Sequence, residues 1–346
     1  MTEIPFIPSM RPEPKRDDLG RYRLPDPDGS GVRSWTRATT IAHTLDDTFH
    51  LTQWKRRMVL QGAAQSPGVL ATVPELTREL ERAGDDWRAA KDIKRELDSL
   101  CDSAAEAAGA GDGAKLGTLL HTITEYADAG RFDEIRDRVP AELFADLGAY
   151  ELAMDRAHLG RPPEFIENIV VNSRVDGAGT FDRLLRLPDG RLVVGDLKTQ
   201  KTVDFGFLSI AIQLAEYAQA DAMYDQDTEQ LVPMPAELDK TVGIVMHLPV
   251  GQATCTLYEL DLEAGWEAAL AAYEVRTWRQ RSKALGRVYV PRTAPQDRVL
   301  TLIRSAGHPD ALEALWKDLS PRGQWTAAHT AAAAARKAEL LTPATT

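Results

Sequence analysis

The feature that most constrains this chain is a short turn between two strand-like runs, Thr180–Leu187 and Leu192–Leu197. Leu187-Pro188-Asp189-Gly190-Arg191 reads as a three-residue hairpin loop. Proline presets the first turn position, aspartate suits the second, and glycine takes the left-handed bulge position. Loop length sets register. Pairing Leu187 with Arg191 and counting outward places Asp182 opposite Asp196. A two-residue loop would instead pair Asp182 with Leu197 and turn it to the wrong face. Side chains two apart on a strand share a face, so Asp196 and Lys198 stand together too. Two carboxylates and a lysine gathered this way can hold a divalent metal beside a phosphate. The competing reading is two surface aspartates, one paired with a lysine. Against it, Leu192-Val193-Val194-Gly195-Asp196-Leu197 reads as a buried strand, where an unpaired carboxylate is costly.

The rest of the chain supplies helices and further strands. Residues 1–34, with Pro5, Pro8, Pro12, Pro14, Pro25 and Pro27, read as an extended, partly mobile arm. A helical region spans 35–108, with one helix over Asp46–Gln61 and another from Val73 to about Leu100. After the small-residue break Gly109–Gly113, Leu116, Leu119, Leu120, Ile123 and Ala127 form a helical core stripe that Gly130 stops. Gly117, His121 and Glu125 make a second line beside it. A helix from Ala141 to about His158 precedes strands at 165–173, 180–187 and 192–197. Another helix over Ile210–Tyr224, strands at 242–248 and 254–260, and a helix over Ala264–Arg281 complete a core bounded at 109–300. Residues 301–346 read as a helical tail.

Composition excludes several classes. The chain has 346 residues, 43% hydrophobic and 27% charged, which suits a soluble globular protein. No apolar run approaches the roughly 20 residues of a membrane span, so no membrane partner is expected. Met1-Thr2-Glu3-Ile4-Pro5 lacks the basic and apolar regions of a signal peptide. Cys101 and Cys255 form no metal-type pair, which suits a reducing cytoplasm. The net charge of −11 is unusual for a protein that grips DNA phosphates. A basic channel would reconcile the two, and the candidate run is Arg276–Lys283 with Arg287 beyond it. Its other reading is a solvated helix face.

Four segments together resemble the PD-(D/E)XK nuclease superfamily, and within it the RecB-like exonucleases. They are Gly117-Thr118-Leu119-Leu120-His121-Thr122-Ile123-Thr124-Glu125, Gly179-Thr180-Phe181-Asp182, Asp196-Leu197-Lys198-Thr199 and Gln213-Leu214-Ala215-Glu216-Tyr217. The match covers roughly residues 110 to 225, and the whole chain is similar to phage-encoded exonucleases of this group. The resemblance implies an α/β, restriction-endonuclease-like core, a small mixed β-sheet flanked by helices, with helical N- and C-terminal extensions. It implies a Mg2+- or Mn2+-dependent DNA exonuclease in phage recombination, repair or replication, working in the host cytoplasm. Its partners would be single- or double-stranded DNA ends, and a recombination or single-strand-binding protein. Some relatives hold an iron–sulfur cluster with four cysteines; with two cysteines, no such cluster is expected here. Packing around Trp35, Trp54, Trp87 and Trp278 is expected to join the terminal segments instead.

The implied ligands are Asp182, Asp196, His121 and the Leu197 carbonyl, with Lys198 orienting or deprotonating water and stabilising negative charge. His121 reads either as a ligand, favouring manganese, or as a helix histidine bonded to Glu125; the readings are compatible, since a carboxylate commonly orients a ligating histidine. Glu167 is either a further ligand or a surface residue. Gln213 and Tyr217, one turn apart, either contact DNA and support the metal shell or make a structural hydrogen bond. The other histidines show no ligand spacing, and there is no Walker A motif. Two rival functions remain: an endonuclease of the same superfamily, and a non-catalytic module that binds DNA or protein.

Overall fold

The computed structural model describes residues 4–286 and 296–342. The chain forms two compact units, Met1–Gln280 and Arg281–Thr346, with the boundary inside one helix. In the first unit, β1 (Tyr22–Pro25) and β2 (Val32–Arg37) make a hairpin, followed by the short α1 (Ala38–Ala42). Then come α2 (Phe49–Gln65), α3 (Pro67–Ala83), α4 (Trp87–Ala107), α5 (Asp112–Asp128) and α6 (Phe144–Arg156). The sheet follows as β3 (Ile166–Asn172), β4 (Gly177–Arg186) and β5 (Leu192–Lys198), then α7 (Phe207–Ala218). It is completed by β6 (Ala222–Asp225), β7 (Gln230–Pro233), β8 (Leu238–His247) and β9 (Thr256–Asp261), and α8 (Leu262–Leu285) ends the series. The second unit contains α9 (Gln296–Ser305), α10 (Pro309–Leu319) and α11 (Ala327–Leu341), packed around Val299, Ile303 and Leu312.

The sheet is open and mixed, in the order β7-β6-β3-β4-β5-β8-β9. Its one parallel pair on that path is β5 with β8; β2 joins β4 in parallel and brings β1 with it. Helices cover both faces. On one, Leu120 and Ile123 of α5 and Tyr150 and Met154 of α6 pack on Leu185, Val193 and Leu197. On the other, Ile210 and Leu214 of α7 and Leu262 of α8 pack on Leu184, Leu192 and Val194. An α/β chain flanked by helices is therefore what the sequence encodes. The sheet is larger than the small one expected, because β1, β2, β6 and β7 are short and lack a clear alternating pattern.

Four other expectations change. Part of the N-terminal stretch packs on the core: Ile7 is 5% exposed in the α5 and α6 core, and β1 and part of β2 lie within residues 4–34. The single helix from Val73 to about Leu100 is two helices, broken where Gly84 takes φ +49° and Asp86 caps α4 by accepting from Arg88 and Ala89 N–H. The helix begun near Ile210 ends at Ala218, leaving Ala222–Asp225 to pair with β3. Of the four tryptophans, Trp35 alone is buried; Trp54, Trp87 and Trp278 are exposed and form no common core. Among the described residues, no helix is long and apolar enough to cross a membrane.

Candidate metal and phosphate site

The hairpin turn forms as its composition requires. Leu187 N–H donates to Arg191 O at 2.9 Å, Gly190 N–H donates to Leu187 O at 2.9 Å, and Gly190 adopts φ +93°. Pairing then runs Arg186 with Leu192 up to Arg183 with Gly195. The next step of that register sets Asp182 beside Asp196. Alternation, though, slips at this point: Phe181 and Leu184, three residues apart, both pack in the α7-side core. Asp182 sits in the slip and accepts the Leu197 N–H at 2.6 Å. The partner strand is distorted at the same level. Glu167, which the β3–β4 register places across from Asp182, holds φ +52°, a conformation that is strained for a non-glycine residue. Three carboxylates thus occupy one level of three adjacent strands.

Helix α5 brings the next groups. Its approach to the end of β5 needs Gly117, where a Cβ would lie 2.4 Å from Thr199 Oγ1. One turn on, His121 Nδ1 lies 3.5 Å from Asp182 Oδ2. Glu125 faces the N-terminal stretch, accepting from Ser9 Oγ at 2.8 Å and Met10 N–H at 3.2 Å. That stretch is anchored further by Arg11, which donates to Ile166 O at 2.7 Å. Ser9, Arg11 and Arg16 thereby join His121, Glu125, Glu167 and Asp182 around a cavity of about 400 Å³.

Electrostatics distinguish the members. Asp196 is 2% exposed, and its pKa is pushed up to about 6 by burial, with Lys198 opposing and the Asp182 charge adding to the rise. Burial, then Asp182 and Glu125, raise Glu167 well above the usual carboxylate range. Glu125 is raised as well, by burial. Lys198 Nζ lies 2.7 Å from Asp196 Oδ2 in a close ion pair whose alignment falls short of a hydrogen bond. Burial works to lower the lysine pKa, but Asp196 and Asp182 outweigh it and hold the ammonium charged. Burial lowers the His121 pKa against the pull of Asp182, which favours the neutral imidazole that ligates metals.

Gln213 Nε2 donates to the Tyr217 hydroxyl at 3.0 Å, one turn apart on α7. The Tyr217 ring lies over Gly179, where a Cβ would come within 2.5 Å of Cε1. The glycine that opens the Asp182 motif therefore seats the tyrosine of the α7 motif. The basic run on α8 lies elsewhere. Arg279 is exposed and does not line the cavity, and Arg287 falls outside the described residues. The sequence reading missed Ser9, Met10 and Arg11, since a proline-rich stretch carries no signal for what it covers.

The donors suit a hard divalent ion. Four carboxylates face one ammonium and a neutral imidazole, and oxygen donors with one nitrogen match magnesium or manganese. Among the described residues, no three His, Cys, Asp or Glu side chains converge closely enough to enclose an ion as they stand. Asp182 and Asp196 are taken up instead by the Leu197 amide and the Lys198 ammonium. Comparison with protein-family models gives no match to this chain, and comparison with curated proteins gives none.

Proposed function

We propose that this chain is a metal-dependent deoxyribonuclease with a RecB-like, restriction-endonuclease-like core, hydrolysing phosphodiester bonds at DNA ends. The observation that carries the reading is the level of Glu167, Asp182 and Asp196 across three strands, with Lys198 and His121 beside it. Asp182, Asp196 and His121 would hold magnesium or manganese, with the Leu197 carbonyl and Glu167 as further oxygen donors. When bound, that ion supplies charge screening at the phosphate and acidifies water. Lys198, kept protonated by its carboxylate neighbours, stabilises negative charge growing on the phosphate. Asp182, anchored by the Leu197 amide, keeps its place without help from a mobile side chain. Gln213 and Tyr217 support the site through Gly179. DNA recombination, repair or replication in a phage-infected cell is the setting the motif resemblance supports, alongside a recombination or single-strand-binding protein.

The test is a time course on end-labelled linear DNA and closed circular DNA, in magnesium, manganese or EDTA, with Lys198→Ala alongside. The reading expects metal-dependent loss of linear DNA that the variant lacks. Equal cutting of circles would make the protein an endonuclease. A well-folded wild type inert in both metals would make it a binding module.

A further inference from the structure

Arg11 and Arg16 line the cavity beside the four carboxylates, and Arg279 of α8 does not. A stronger concentration of basic side chains lies on α2 and α4. Residues 49–57 carry Lys55, Arg56 and Arg57, and residues 87–95 carry Arg88, Lys91, Lys94 and Arg95. Asp92 is the one acidic residue in those two stretches. The C-terminal half of α4 reverses the balance, with Glu96, Asp98, Asp102 and Glu106 and no base in residues 96–107, and residues 58–65 of α2 carry no charge.

Packing brings the two basic stretches together. Helix α2 packs chiefly along α4, and a Cβ at Gly62 would run into the Ala104 carbonyl. Gly62 and Ala104 each lie three residues before the end of their helix. Helices whose C-terminal ends meet can pack along their length only by running the same way, so their N-terminal halves lie at one end. All seven basic side chains there are exposed. Lys55, Arg56, Arg57, Lys91 and Lys94 have no ion-pair partner among the described residues; Arg95 pairs with Asp92 in an exposed bridge, which is worth little.

Aromatic rings are interleaved with the cations. Phe49, Trp54 and Trp87 are 60%, 39% and 66% exposed. Trp87, Lys91 and Lys94 or Arg95 recur at i, i+4 and i+7 or i+8, one stripe of α4. Exposed rings beside unpaired cations are how proteins hold an unpaired strand: cations meet phosphates and rings stack on bases. A duplex hides its base faces and would leave the rings unused. Helix α4 also leads through residues 108–111 into α5, which carries His121, and Lys115 bridges back to Glu106.

We propose that the N-terminal halves of α2 and α4 form a binding platform for single-stranded nucleic acid, separate from the metal and phosphate site. The choice of ligand rests on the nuclease reading, so the test measures binding apart from cleavage. In EDTA, a fluorescein-labelled oligothymidylate of about sixteen nucleotides is titrated with full-length protein and followed by anisotropy at several salt concentrations. Alanine keeps the helices, since these positions are exposed and it has the best helix propensity. Combining Lys55→Ala, Arg56→Ala and Arg57→Ala should weaken binding more than tenfold and lower the salt slope by about two. Trp54→Ala should weaken it about tenfold with the slope unchanged. Arg82→Ala, a single charge loss on α3, should bind as wild type does. Oligothymidylate binding unaltered by the triple substitution, or unaltered by Trp54→Ala, would overturn the platform. If such a protein still degrades linear DNA in metal, the catalytic reading stands while the platform falls.

Discussion

Two charged clusters meet at neighbouring residues of β4, and they are built on opposite principles. Arg183 is fully buried and donates to Asp128 Oδ2 at 2.8 Å, to the Tyr150 hydroxyl and to Thr124 Oγ1. Tyr150 also donates to Asp128 Oδ2 at 2.8 Å, and Arg161 donates to Asp128 Oδ1 at 3.3 Å. Each oxygen of the one carboxylate is met, and cation and anion are matched. One residue earlier, Asp182 belongs to a cluster of four carboxylates with a single ammonium, a strained Glu167 backbone and pKa values driven upward. In the first cluster both carboxylate oxygens are met within the folded chain, while Arg183 Nε has no hydrogen-bond partner among the described residues. The proposed metal would bring the second cluster a further cation. Neighbouring positions on one strand thus belong to two differently built groups, one closed by hydrogen bonds and one rich in carboxylates with raised pKa values.

Substitutions should therefore dissociate stability from activity. The largest effect falls on catalysis. Asp196→Asn should lower the rate of linear DNA degradation by at least about 10³-fold, while near-ultraviolet circular dichroism keeps its native form. Lost tertiary signal in that variant would assign Asp196 to the folding class. Arg183→Met should do the reverse, losing about 3–5 kcal/mol in urea unfolding because it removes the fully buried cation partner of Asp128. Adding Asp128→Asn should recover part of that loss; no recovery would mean the network is not a unit.

Smaller effects test the supports. Gly179→Ala should cost about 1–3 kcal/mol by pressing on the Tyr217 ring, with reduced activity from the same displacement. A third buried carboxylate sharpens the comparison. Both oxygens of Glu216 lack a hydrogen-bond partner among the described residues, and burial raises its pKa well above the usual range. A carboxyl raised by folding contributes its stability below the unfolded pKa and loses it as pH rises toward the folded value. Glu216→Gln should thus be more stable than wild type at alkaline pH, by about 1 kcal/mol or more, with the gap closing as pH falls from the raised value to the ordinary glutamate range. A gap constant with pH would show that Glu216 does not titrate there.

Much of this was legible in the sequence where a local rule governs it. A proline, an aspartate and a glycine in five residues determine the hairpin register, and two residues' spacing joins Asp196 to Lys198. Gly84 with Asp85 and Asp86 carried a break signal too, overridden by the periodic stretch around it. Other features depend on distant partners. Nothing near Ser9 indicates that it will meet Glu125, 116 residues away. Arg183 reads as an exposed strand residue until Asp128, Thr124 and Tyr150 close over it. Glu167 reads as surface or ligand alike, because its left-handed backbone is imposed by strands on either side and leaves no trace in residue type.

The most direct test of the charge-excess site needs no DNA. Wild type and the Asp182→Asn/Asp196→Asn double variant would be melted across a manganese titration from a chelated start. The account predicts that saturating metal, at about 100 times the dissociation constant, stabilises wild type by about 2.7 kcal/mol and leaves the variant unmoved. Equal shifts in both proteins, or no shift in wild type, would contradict the claim that these carboxylates await a cation.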